Sequence, residues 1–379
     1  MRRALTLGLA AILALLVVVV IVVSTRGGSS SDNVVVVRGV IGSEKKAFFA
    51  DARVQEAFRN AGYEVQIDTA GSRQIATTVD LSKYDFAFPA GTPQAQKIKN
   101  DRKATAIYVP FSTPMTIATF EPIARLLATA GVAKDEGGWW SFDMAKFLEL
   151  VDQDTRWKDI PGNVDYQANK QVLITSTDVT TSNSAAMYAS IASYLANGSN
   201  VVASVAQADA SAKQVAPLFG RQGYTEQSSE APFDDYLSIG AGKTPMVMIY
   251  ESQFVARAVA KDGSIKSDMV LMYPTPTIIS KHSFVPLSAT GDSIGQLLMN
   301  DPTLKALALQ FGFRTSDPDS FTKLVTDAGI AVAPQLVDIV EPPTNDNLEA
   351  LINAISTEMA AASVGTTGPS TTAPATTKP

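Results

Sequence analysis

Within the first hundred residues, an apolar run gives way to a glycine turn bearing Ser or Thr, and then to a helical pattern, three times over. Residues 34–49 read VVVVRGVIGSEKKAFF. Four valines followed by further apolar residues predict a strand buried on both faces, as in parallel sheets. Gly42-Ser43 ends it, and the residues up to Gly62 have helical spacing, with Phe48, Phe49, Val54, Ala57 and Phe58 inward. A second strand, YEVQIDTA, ends at Gly71-Ser72-Arg73. A third, YDFAFPAG, ends at Gly91-Thr92, where Pro93 suits a first helical turn. This alternation dictates an α/β domain with a mainly parallel sheet. Ligands of such sheets sit outside the carboxyl ends of the strands, so all three turns are expected to face one crevice.

The segment KATAIYVPFSTPMTIATF then runs long and extended, and DMVLMYPTPTIISKHSFVPL repeats its character much later. Two such segments, one leaving the first α/β unit and one returning, predict hinge strands between two lobes. Between them lie the helical patterns PIARLLATAGV and FDMAKFLELVDQ, a Trp139-Trp140 pair read as core plus an exposed flank, and a strand QVLITSTD. A helix then opens at TTSNSAAMY. The polar stretch FGRQGYTEQSSEAPFDDYLSIGAGK reads as a surface excursion, and a strand PMVMIYES with its helix closes the region. The remaining helices, DSIGQLLMNDPTLKALALQFGFR and NDNLEALINAISTEMAAA, are expected on the outside of the first lobe.

The ends differ in kind. Residues 4–23 carry no charge, and about 20 residues at 1.5 Å each span the roughly 30 Å core of a bilayer. Arg2 and Arg3 precede them, which places the N-terminus in the cytoplasm and the bulk of the chain outside the cell membrane as a single-pass protein. No Ala-x-Ala site follows, so the segment reads as a retained anchor rather than a signal peptide. The TTGPSTTAPATTKP end has no apolar pattern and is expected to be disordered. The predicted organisation is 1–3 cytoplasmic, 4–23 transmembrane, 24–33 spacer, 34–117 and 273–362 first lobe, 118–272 second lobe, and 363–379 a Ser/Thr/Pro tail. With 46% hydrophobic residues the body can bury a core, and the net charge of -6 has no clustered basic footprint for nucleic acid. The absence of cysteine excludes disulfides, thiol catalysis and thiolate metal sites.

In order, GSEK after the first strand, TAGSR after the second, TSTDVTTSNSAAMY opening a helix, MIYESQ, LMYPTPTIISKHSFVPL and DPTLKALALQFGFR resemble the extracytoplasmic solute-binding proteins of the type II periplasmic-binding-protein fold. The likeness covers roughly residues 34 to 360. It is strongest to membrane-anchored substrate-binding domains that sometimes accompany a von Willebrand A domain, although the Asp-x-Ser-x-Ser metal pattern of that domain is absent here. The resemblance implies a two-lobed α/β fold with two hinge-crossing segments; the one transmembrane helix read above would precede it, a departure from family members with a transport partner, which are often lipoproteins or secreted. It also implies lobes that close over a small polar or anionic ligand held at helix N-termini, with a transport or sensory membrane partner and no cofactor.

Helix N-termini leave backbone N–H groups without partners and carry the positive end of the helix dipole, and Ser or Thr can either cap them or help hold a ligand there. The candidates in the second lobe are Thr180, Thr181, Ser182, Asn183 and Ser184. Those in the first lobe are Ser43, Glu44, Gly71, Ser72, Arg73, Gly91 and Thr92. Hinge-side walls would come from Ser112, Thr113, Tyr250, Glu251 and Tyr273. Arg73 suits an anionic ligand group, or is a surface arginine; Glu44 and Glu251 suit a cation or amino group, so the ligand's charge stays open.

Enzyme readings find little. The single histidine, His282, has no Gly-x-Ser-x-Gly elbow to serve and cannot anchor a zinc site alone, so a structural or surface role is expected. Ser43-Glu44-Lys45-Lys46 matches Ser-x-x-Lys, but Ser31-Asp32-Asn33 precedes it and Lys243-Thr244 is followed by Pro245, which is the wrong order and pattern for acyl transfer. Carboxylate-only chemistry needs neither His nor Cys. A different class of function, a cell-envelope interaction or assembly protein that keeps the fold without a ligand, is the alternative.

Overall fold

The computed structural model describes residues 34–365 apart from Tyr224. The predicted anchor and spacer, and the tail beyond residue 365, lie outside the described residues. Among the described residues no helix is long and apolar enough to cross a membrane.

Strands β1 (Val35–Ile41), β2 (Tyr63–Thr69) and β3 (Phe86–Phe88) are parallel, with β1 in the middle. Both faces of β1 are buried only from Gly39 onward; Val35 and Val36 are exposed. Gly39 is required where it stands, because a Cβ there would lie 2.0 Å from the Phe86 ring on the neighbouring strand. The helix predicted after β1 is divided. A single 3-10 turn (Ser43–Lys45) leads into α1 (Lys46–Ala50), and Asp51, in extended backbone, starts α2 (Ala52–Asn60) by accepting from the Arg53 N–H at 2.8 Å. Helices α3 (Ser72–Thr77) and α4 (Thr92–Arg102) follow β2 and β3.

Strand β4 (Tyr108–Phe120) leaves this unit and enters the second lobe. That lobe holds α5 (Glu121–Thr129), β5 (Ala133–Asp135), β6 (Trp140–Asp143), α6 (Met144–Asp152), α7 (Asn183–Ala196), α8 (Val205–Gly220), α9 (Glu230–Ser238), β7 (Met246–Tyr250), α10 (Glu251–Ala260) and β8 (Met269–Thr275). The chain returns along β9 (Ile279–Pro286) and ends in α11 (Ala289–Asn300), α12 (Pro302–Gln310), α13 (Pro318–Asp327) and α14 (Asn345–Gly365). The strand order is β2-β1-β3-β9-β4-β8-β6-β5, with β7 also on β4. The first half of β4 pairs with β9 and its second half with β7 and β8, all antiparallel.

Three local expectations are corrected. The stretch QVLITSTD forms only two isolated bridges, Gln171 to Arg156 and Thr175 to Val247, rather than a strand. The polar excursion contains α9, whose Phe233 and Tyr236 are buried in the second-lobe core. The last helix packs mainly on α8 of the second lobe, with a lesser contact to α4 of the first, and it runs through residues 363–365, where the sequence predicts tail. The physical reason is that Leu348, Leu351, Ile352 and Ile355 form one apolar stripe at helical spacing, and that stripe joins the core of the second lobe. Helix α12, by contrast, packs Leu304 and Leu307 into the phenylalanine-rich core of the first lobe, with Phe48, Phe58 and Phe86.

Because the C-terminal helix completes a core rather than decorating it, Leu351→Ala should destabilise the chain by about 2–5 kcal/mol. Leu351→Met should cost less than about 1.5 kcal/mol. Denaturant midpoints followed by circular dichroism would show the difference, and equal midpoints would mean that the helix is an appendage.

Candidate functional site

A pocket of about 170 Å³ lies between the lobes, at the carboxyl ends of β1 and β2 and at the first turn of α7. Ser43, Glu44, Gly71, Ser72, Thr181, Ser182, Asn183 and Tyr250 from the predicted set line it. The loop residues Gln227, Ser228 and Ser229, which sequence reasoning passed over inside the polar excursion, complete the wall. The lobes are closed on each other here. A Cβ on Gly71 would fall 2.6 Å from the Thr181 carbonyl oxygen, and one on Gly91 would fall 3.0 Å from Asn183 Oδ1. Backbones approach this closely only where a side chain is missing.

Ser182 is the N-cap of α7, yet its hydroxyl does not cap the helix; it lies 2.9 Å from the Ser184 hydroxyl, which in turn lies 3.0 Å from that of Thr177. The first-turn N–H groups have no intrahelical acceptors and carry the positive end of the dipole. Asn183 Nδ2 donates to the Tyr250 hydroxyl oxygen at 3.0 Å, whereas Asn183 Oδ1 is buried with no partner. Ser72 accepts from the Ala90 N–H at 2.9 Å and so ties the second turn to the third.

The other predicted residues stand elsewhere. Arg73 bridges the lobes: its guanidinium donates to Glu349 on α14 at 2.6 Å and to the Thr180 carbonyl at 2.7 Å. Thr92 opens onto a separate groove beside Pro342 and Pro343, with its hydroxyl 3.5 Å from that of Ser283. Ser112 exchanges backbone hydrogen bonds with Arg314, and Thr113 Oγ1 accepts from the Ser252 N–H at 3.0 Å, capping the start of α10. Glu251 is fully buried and receives Arg314 at 2.7 and 2.6 Å and the Tyr273 hydroxyl at 2.6 Å. Tyr250 and Glu251 part company because the chain turns from strand to helix between them. Ser112, Thr113, Glu251 and Tyr273 thus form a self-satisfied hinge cluster that the fold does not bring to the pocket.

Two functional-looking groups were missed. Lys45 stands in the sequence only within the Ser-x-x-Lys match, and His282 as a lone histidine, yet both are fully buried and face each other, Lys45 Nζ 3.1 Å from His282 Nδ1. Lys45 also pairs with Glu44 and lies 4.8 Å from the centre of the Phe88 ring. Sequence signals for this existed. Lys45 precedes Phe48 and Phe49 by three and four residues, on the same helical face, and His282 alternates with Ser280 and Phe284 along β9. Burial works to raise the Glu44 carboxyl, but the Lys45 charge and the hydrogen bonds from His282 and Lys45 outweigh it and hold the group well below the usual carboxylate range. Burial lowers Lys45, opposed by Glu44. Burial and the neighbouring Lys45 push His282 down to about 4, against the pull of Glu44.

A larger groove of about 740 Å³ opens beyond Glu44, walled by α1, α9 and α10. Its arginines are already paired, Arg53 with Asp51 and Arg257 with Asp234 and Asp262. It is built from helix flanks rather than strand-end turns, so the smaller pocket is the better candidate by the geometry of α/β sheets.

The buried histidine sets a pH dependence. The folded chain binds fewer protons than the unfolded one between the ordinary histidine value of about 6.5 and the folded value of about 4, so stability is lost as pH falls through that window and is complete above it. Melting temperatures measured from pH 7 to 4.5 should fall in the wild type and fall less steeply in His282→Asn. Parallel curves would show that His282 does not titrate in this way.

No protein-family model and no curated protein matches the chain. Solved structures do. The apo ferric ion-binding protein A of Pasteurella haemolytica superposes with a TM-score of 0.50 at 10% identity, over 87% of this chain and 97% of that one. An ABC transporter protein of Clostridium perfringens gives 0.50 at 11% identity, over 85% and 99%. The periplasmic binding protein P5PA gives 0.50 at 12% identity, over 86% and 99%. The strand order, the shared long strand and these likenesses lead to one conclusion: the chain has the two-lobed fold of the type II periplasmic binding proteins.

Proposed function

We propose that this protein is a non-enzymatic, extracytoplasmic solute-binding receptor that captures a small polar ligand between its lobes for transport or sensing. The observation that carries the reading is the 170 Å³ pocket closed between the lobes, with Ser, Thr and Asn side chains supplied by strand-end turns of one lobe and a helix start of the other. Neighbouring structures described as ferric ion-binding, periplasmic-binding and ABC-transporter proteins support it as analogues of the fold. Residues 4–23 would hold the receptor at the cell membrane in a single pass, with the lobes outside and a membrane transport or sensory partner alongside. Ligand would contact both lobes and shift an open–closed equilibrium toward the closed form. The lobes are proposed to divide at 34–117, 118–272 and 273–362, with the C-terminal helix strapped across to the second.

Thermal unfolding of the purified full-length chain against small polar compounds tests this. A ligand at 100 times its dissociation constant adds about 2.7 kcal/mol, a shift of a few degrees for a chain of this size. Gly71→Val would prop the lobes apart at the Thr181 carbonyl and should abolish that shift while the protein still melts cooperatively. A shift that survives Gly71→Val would place the ligand outside this pocket, and a flat panel would favour the envelope interaction protein.

A further inference from the structure

We propose that the C-terminal helix is a latch on lobe closure: α14, mounted on the second lobe, holds the first lobe shut through the grip of Glu349 on Arg73, and salt weakens that hold. This goes beyond ligand capture and does not depend on what the pocket takes.

Each partner is fixed to a different lobe. Arg73 stands in the first turn of α3, whose Ile75 and Ala76 pack with Val40 and Ala87 of the first lobe. Glu349 stands on α14 between Leu348 and Leu351, both fully buried in the second-lobe core. The segment that enters α14 is pinned at the hinge. Thr277 donates to the Asp338 carbonyl at 3.0 Å and accepts from the Val340 N–H at 2.9 Å, and Lys281 pairs with Glu341. Glu349 is therefore carried on a firm mount. Thr180 belongs to the second lobe too, and Asp178 holds it by accepting from its N–H at 2.8 Å and its hydroxyl at 2.6 Å.

The contact itself is a fork. Arg73 Nε donates to Glu349 Oε1 at 2.8 Å and Oε2 at 2.6 Å, Nη2 lies 2.6 Å from Oε2, and Nη1 donates to the Thr180 carbonyl at 2.7 Å. Every one of these acceptors lies across the lobe boundary. Charge-assisted bonds of this kind are stronger than neutral ones, and the two side chains are only 28% and 21% exposed. A hinge opening withdraws Arg73 from Glu349 and Thr180 together, so the closed form alone keeps these bonds. The same polarity continues beside the fork, where Lys97 of α4 and Asp346 of α14 line one groove. Asp101 raises the Lys97 ammonium most, and Asp346 and Glu349 across the boundary add to it. A closed form favoured in this way leaves a ligand less work to do in shifting the equilibrium.

Single-molecule energy transfer on the full-length chain, with no ligand added, reads the open and closed populations directly. The chain has no cysteine, so Lys83→Cys in the first lobe and Lys213→Cys in the second, both at exposed positions, take a dye pair without competition. In that background Arg73→Ala and Glu349→Ala should each raise the open-to-closed ratio about fivefold or more. The double variant should open no further than Arg73→Ala alone, because both changes remove one contact. Raising sodium chloride from about 0.1 to about 1 M shortens the screening length from about 10 to about 3 Å, and should open the parent protein more than Arg73→Ala. Unchanged populations in both single variants would overturn the latch, and so would a double variant that opens by the product of the two, or salt that opens parent and Arg73→Ala alike. Ligand capture would stand in any of those cases, since no ligand enters the measurement.

Discussion

One strand holds the two halves of this molecule in a single frame. β4 is thirteen residues long, and it gives its first half to β9 in one lobe and its second half to β7 and β8 in the other. Backbone hydrogen bonds are obligatory for a buried strand, so both sheets are built onto the same chain and their relative placement follows from its direction. That placement brings the carboxyl ends of β1, β2 and β3 opposite the start of α7. The pocket is a consequence of this shared ladder, and no residue within the pocket creates it.

The polar groups at the lobe boundary divide into two kinds. Glu251, Arg314 and Tyr273 satisfy one another completely, which is how buried charge is tolerated in a hinge. Glu44, Lys45 and His282 form a second buried cluster, and it differs by keeping its carboxylate in contact with a cavity. Breaking either cluster would leave a buried charge uncompensated. Arg73 belongs to neither; it ties the first lobe to the loop before α7 and to the C-terminal helix.

Much of the fold was legible because periodicity reports burial directly. The three strand–turn–helix units, the first with its helix divided at Asp51, the extended crossing segments and the opening of α7 near Asn183 stand where the pattern put them. The failures have identifiable causes. QVLITSTD is apolar enough for a strand but makes only isolated bridges, to Arg156 and to Val247. The helix α9 hides in a polar stretch because only Phe233 and Tyr236 need to be buried. The C-terminal helix advertised an apolar stripe without saying which lobe would cover it.

By itself the sequence determined which turns would carry Gly with Ser or Thr, and that those turns would gather at one edge of a parallel sheet, since chirality and strand direction allow little else. It also determined that there would be no thiol chemistry. The tertiary structure alone decided which hydroxyls and charges meet. Glu251 turned into the hinge while Tyr250 turned into the pocket, Arg73 was taken by Glu349 from far along the chain, and Lys45 went under Phe88. The physical reason is that a side chain's partner is set by long-range packing, and residues hundreds of positions apart leave no mark on each other's local pattern.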